Sequence, residues 1–211
     1  MPKPCRFLLS ANLGVSAIAA LLAVTASATA QAATVWNESV AGDFSNLGTA
    51  PTVLALGVGP NLIIGSTGRV GGVVDRDYFS FTVPAGQQLD TLTVMPGTTA
   101  LGVSGLSFIA IQSGGQVTVN PTGGSPAGLM GYWHFGANDI GSDILGVMGT
   151  SPGAGGFITP LPAGPYAFWV QDTGTGTANY RLEFAVTAVP EPAAAWLLLA
   201  GLGALALKRR R

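Results

Sequence analysis

Two aspartates, Asp75 and Asp77, flank Arg76 just ahead of the run "YFSFTV". Asp139 and Asp143 stand four apart further along. Oxygen ligands without sulfur suit Ca²⁺, which takes about six to eight oxygens and is plentiful outside cells. Asp75 and Asp77 are therefore calcium candidates, and no other cofactor is implied. The competing reading is that such aspartates cap turns and helices. No Asp-x-Asp-x-Asp-Gly loop accompanies them. Two carboxylates also serve glycoside hydrolysis, but nothing in the spacing singles out a pair.

Nucleophilic chemistry is less well served. "GTSPG" at 149–153 matches Gly-x-Ser-x-Gly, yet the residue after Ser151 is Pro152. The oxyanion hole of that elbow uses the N–H after the serine, and proline has none. His134, in "GYWHFG", is the single histidine, and it precedes the serine. One histidine and a single cysteine, Cys5, make no zinc site. The expectation is a protein that is not an enzyme. Tyr132, Trp133 and Trp169 are candidates for stacking on sugars, against the alternative that they fill a core.

Positioning any of these residues falls to strands. Glycine and proline punctuate the middle of the chain, and the stretches between are short and rich in Val, Ile, Phe and Thr. In "DYFSFTV", Phe79, Phe81 and Val83 point one way and Tyr78, Ser80 and Thr82 the other. In "NYRLEFAV", Tyr180, Leu182, Phe184 and Val186 share a face, opposite Arg181 and Glu183. "PYAFWVQ" precedes it across "DTGTGTA", which predicts a hairpin from Tyr166 to Val186. "TVLAL", "NLII", "LDTLTV", "LSFIAIQ" and "QVTV" are further strands. "DIGSDILGVM" reads as a short helix or a pair of turns, and residues 149–165 as a loop. The expected fold is all-β, an antiparallel, jelly-roll-like β-sandwich.

Charge narrows the partners. Residues 33–189 carry nine acids and three arginines, with no lysine, for a net charge of −6. Such a surface repels nucleic acid. It also holds no cysteine, so its stability comes from the core or from bound ions.

Both ends carry targeting features. Lys3 and Arg6 precede the apolar stretch Phe7–Val24, and small residues follow in "TASATAQAAT". This is the order of a secretory signal peptide, with a helical apolar region. Ala30 and Ala32 fit the cleavage site, giving a mature start near Ala33. At the other end Val189, Pro190, Glu191 and Pro192 precede the apolar run 193–207, then Lys208, Arg209, Arg210 and Arg211. A helix of that length spans about 22 Å against a hydrocarbon core of about 30 Å, a short transmembrane helix. The bases hold its end on the cytoplasmic side. The division is signal peptide 1–32, exported domain 33–188 and sorting segment 189–211.

"VPEP", the apolar run and "KRRR" together resemble the PEP-CTERM sorting signal of Gram-negative bacteria. The resemblance implies an exosortase-type transpeptidase as partner and a transient stay in the inner membrane. It also implies delivery to the cell surface or extracellular matrix, alongside exopolysaccharide and biofilm. "DRDYFSFTVPAG" at 75–86, with "LPAGPYAFWV" and "ANYRLEFAV", resembles bacterial pre-peptidase C-terminal β-sandwich domains. Residues 95–160 fall outside that resemblance. The expected function is a structural or adhesive surface protein. The alternatives are a carbohydrate-binding module, with an exposed aromatic row, and a secreted glycoside hydrolase, with converging acids.

Overall fold

The computed structural model describes residues 31–189. The signal peptide, residues 190–192 of the sorting motif, the predicted helix 193–207 and the basic tail lie outside the described residues. Among the described residues no helix is long and apolar enough to cross a membrane.

Nine strands form one sheet: β1 (Ala33–Asn37), β2 (Thr52–Val53), β3 (Gly59–Val70), β4 (Val73–Val83), β5 (Gln87–Val94), β6 (Leu106–Ser113), β7 (Gly131–Gly136), β8 (Gly164–Gln171) and β9 (Gly176–Ala188). Two single-turn helices, α1 (Glu38–Ala41) and α2 (Leu145–Met148), accompany them. The order is β5-β9-β3-β4-β8-β6-β7, antiparallel throughout, with β1 added parallel to β3 and β2 parallel to β4. The all-β class is as expected. The strands are connected as one nearly closed sheet: β3 and β4 pair only at 68–70 and 73–75, beside their tight turn, and from there the two halves of the sheet diverge and face each other across the core. That turn is Gly71-Gly72, both at positive φ (59° and 84°), where a side chain would be strained.

The predicted hairpin from Tyr166 to Val186 does not form. β8 pairs with β4 and β6, whereas β9 pairs with β3 and β5. The two strands lie in opposite halves of the sheet, and "DTGTGTA" is a crossover. Buried Asp172 holds it, accepting from Leu101 N (2.8 Å), Ser107 Oγ (2.6 Å) and Gly174 N (2.7 Å). A side chain on Gly174 would strike the backbone of Leu101. "QVTV" is not a strand: Val117 packs beneath β6 and β8, and Thr118 bonds back to Gln112. "GYWHFG", unassigned from sequence, is β7, and β1 was likewise not foreseen.

The two halves of the sheet meet across the core. Phe79 and Phe81 of β4 and Phe168 of β8 meet Phe184 of β9 edge-on, with centroids 5.1–6.0 Å apart. Such T-shaped contacts add about 0.5–1.5 kcal/mol beyond burial. The alternation predicted for β9 holds on its inner face, with Tyr180, Leu182, Phe184 and Val186 buried. Residues 137–161 nearly close the sheet by bridging its free edges. On the β5 side Ile144 N donates to Leu92 O (2.8 Å), and Leu89 and Leu161 exchange two bonds of 2.9 Å. On the β7 side Tyr132 N donates to Ser151 Oγ (2.8 Å). The single turn of α2 buries Leu145 and Met148 in this seam.

Candidate functional site

The start of the domain folds over the start of β4. β1 lies along β3, and Asn37 caps α1 by accepting from Ser39 N. Gly42, at φ 93°, turns the chain back toward the sheet. Tyr78 N then donates to Ser45 O (2.9 Å), and Arg76 N to Asn46 Oδ1 (2.9 Å). These bonds place the segment around Asp43 beside Asp77. Phe44, buried against Trp36 and Phe79, fixes it there.

The result is a carboxylate cluster. Oxygens of Glu38, Asp43 and Asp77 lie within 4.8 Å of one another. Asp77 is fully buried, Glu38 half-buried and Asp43 exposed, so the cluster opens to solvent on one side. Glu38 is aimed by its backbone partners: Oε2 accepts from Ser66 N (2.6 Å) and Ser66 Oγ (3.2 Å), Oε1 from Phe44 N (3.3 Å). Tyr180 Oη donates to Asp77 Oδ2 (2.7 Å), and Asp77 Oδ1 has no hydrogen-bond partner among the described residues. Gly65 is opposite Tyr180 in the β3–β9 register, and a side chain there would collide with the phenol.

Burial, then the nearby charge of Glu38, pushes the Asp77 carboxyl up to about 9. Burial also raises Glu38 and Asp75 above the usual carboxylate range, and raises Tyr180. At neutral pH an ion-free cluster therefore holds a proton on Asp77. A divalent cation inverts this logic, because its own charge favours the ionised carboxylates. The donor set is all oxygen, with no sulfur and no nitrogen, and fits Ca²⁺ with water completing the shell.

The sequence candidates divide accordingly. Asp77 is in the cluster. Asp75 is a half-buried neighbour that contacts Asn46 and whose charge helps raise Asp77. Glu38 and Asp43 were missed, because only the β1–β3 pairing and the Ser45–Tyr78 bridge bring them near. The turn-capping reading describes the other pair. Asp139 accepts from Gly136 N (2.9 Å) and Trp133 Nε1 (3.2 Å), and Asp143 from Leu92 N (2.9 Å) and Leu145 N (3.0 Å). Ser151 of "GTSPG" has its hydroxyl committed to Met148 O (2.6 Å) and Tyr132 N.

The aromatic candidates also split. Trp133 faces inward against the core and is tied to Asp139. Tyr132 and Trp169 face outward on the other side of the sheet, in register through Ala110. The next register row is Gln171, Phe108 and His134. With the segment 120–129 arching above, these rows line a cleft of about 300 Å³. Phe108 and His134 were not predicted as part of it; the strand period of two beside Tyr132 and Trp169 was the available signal.

Comparison with known proteins places one segment. No curated protein matches the chain, and no solved structure does. The likeness to pre-peptidase C-terminal domains rests on the two sequence blocks alone. Residues 188–211 match the PEP-CTERM protein-sorting motif, which is processed by exosortase and marks an exported, membrane-processed protein.

Proposed function

We propose that the chain is a non-enzymatic structural or adhesive protein of the Gram-negative cell surface or extracellular matrix. Residues 1–32 direct export, and the apolar run 193–207 with its basic tail holds the precursor in the inner membrane. An exosortase-type transpeptidase then acts at Val189–Pro192 and passes the β domain, 33–188, outward. The observation that carries this reading is the sorting motif at 188–211. Its position supports it: β9 ends at Ala188, so the motif begins where the sheet stops. Val189 is exposed, and its N–H still donates to Gly86 O (2.8 Å). The described chain thus leaves the sheet at an exposed residue directly before the rest of the motif. The carboxylate cluster suits the same destination, where Ca²⁺ is plentiful and locks the N-terminal segment onto β3, β4 and β9.

Fractionation of the native host with an epitope tag placed after Ala33 tests the proposal. The parent protein should move to the surface or medium without its tail. Glu191→Ala should stay in the inner membrane at full C-terminal length. Processing and release of Glu191→Ala at the parental level would refute it.

A further inference from the structure

The outer cleft of the β4–β8–β6–β7 half carries a second inference, which rests on the export reading because its ligand is met only outside the cell. We infer that this cleft binds a neutral sugar unit of an extracellular polysaccharide.

Three observations converge. Phe108, Tyr132, His134 and Trp169 form one continuous aromatic surface. Phe108 contacts Tyr132, His134 and Trp169 with centroids 5.9, 5.3 and 4.8 Å apart. Aromatic faces carry negative charge density, which attracts the positively polarised C–H bonds on the face of a pyranose ring.

The surroundings of these rings are polar and adaptable. Asn120, Ser125, His134 and Gln171 edge the cleft. Gln171 spends its carbonyl on Arg76 Nε (3.0 Å), which leaves its amide N–H groups to donate to sugar hydroxyls. Among the described residues no Asp, Glu, Lys or Arg lines the cleft, and the nearby Arg76 is engaged by Gln171, so the lining favours a neutral ligand over a uronate or an amine. The volume of about 300 Å³ sits at the lower end of ligand clefts, roughly 300–1,000 Å³. It takes a short stretch of chain.

Trp169 supplies the third observation. It is 96% buried, yet its indole N–H has no acceptor among the described residues. Buried indoles ordinarily find a partner, and leaving one out costs free energy. A phenylalanine would pack here without that cost. Trp169 is among the residues lining the cleft, where it backs the more exposed rings of Tyr132 and Phe108.

The test uses the full-length chain in detergent, titrated with cellohexaose, maltohexaose and mannohexaose, and with trigalacturonate as the charged comparison. Tryptophan fluorescence and calorimetry are read together. At least one neutral hexaose should bind at millimolar concentration or tighter and perturb the fluorescence. Tyr132→Ala and the exposed His134→Ala should each weaken binding about ten-fold, ~1.4 kcal/mol; His134→Ala should leave the melting temperature unchanged, whereas Tyr132→Ala, which also loses its bond to Pro152 O and its packing beside Phe108, should lower it. No response to any neutral probe, a response to trigalacturonate alone, or binding that survives both substitutions would overturn the inference. Binding in solution does not depend on sorting, so its failure is separate from a failure of the fractionation experiment.

Discussion

Tyr180 Oη donates a 2.7 Å hydrogen bond to Asp77 Oδ2 across 103 positions of sequence. It ties β9 to the first buried residue of β4 and is the one side-chain hydrogen bond of Asp77 among the described residues. With Asp77 protonated the bond joins neutral groups, and removing the donor leaves a buried carboxyl oxygen unsatisfied, which costs about 1–3 kcal/mol. Tyr180→Phe should lower the unfolding free energy by an amount in that range, with no change in the denaturant slope. Urea titration measures it, and a loss under about 0.5 kcal/mol, within the usual reach of a surface change, would show that the bond is not a stabilising contact.

The cluster makes stability depend on pH. An unfolded aspartate titrates near ~3.9, and the folded Asp77 carboxyl sits at about 9. Between those values the folded state holds a proton that the unfolded chain releases. Ion-free stability should therefore fall as pH rises through the window from about 4 to 9. Glu38 and Asp75, also raised, add to the slope with the same sign. Asp77→Asn should flatten the profile and raise the melting temperature near pH 8 in chelator. A parental melting temperature independent of pH would contradict the assignment.

Calcium should cancel that slope. The ion displaces the Asp77 proton, so its affinity rises with pH. At 100 times its Kd, an ion that binds only the folded state stabilises by about 2.7 kcal/mol. Chelation should lower the melting temperature at pH 8 more than at pH 5.5. Glu38→Gln, which removes one charge of the cluster, should lose most of the response. Identical curves with and without chelator at both pH values would leave these carboxylates as hydrogen-bond acceptors alone.

The inner face of β9 should dominate its energetics. Leu182 is fully buried, and Leu182→Ala should cost roughly 2–5 kcal/mol. Arg181, half-buried on the other face with its stem against Gly97, should cost under about 1 kcal/mol on truncation. Denaturant titration of both variants decides it, and equal losses would place the strand's faces wrongly.

The sequence alone determined what depends on local order. The period of two in "NYRLEFAV" assigned the faces of β9, because only one face of such a strand is apolar enough to bury. The order of "VPEP", apolar run and "KRRR" marked the sorting motif matched at 188–211, since such signals are read as linear patterns; the order of bases, apolar run and small residues at the other end predicts a signal peptide in the same way and lies outside the described residues. Tertiary structure decided what depends on partners distant in the chain. The glycine-rich "DTGTGTA" looks like a hairpin turn, but β8 and β9 each find longer partners elsewhere, and Asp172 pins the crossover between them. A strand's neighbours are set by which pairing buries the whole apolar face, and no single segment carries that information. The calcium candidates show the same division. Asp77 was legible from its place before an apolar strand. Glu38 and Asp43 were not, because they reach it only when β1 lies on β3 and Ser45 pairs with Tyr78. A cluster of like charges never forms locally by attraction; the hydrophobic burial of Phe44 and Phe79 holds these carboxylates together against their repulsion.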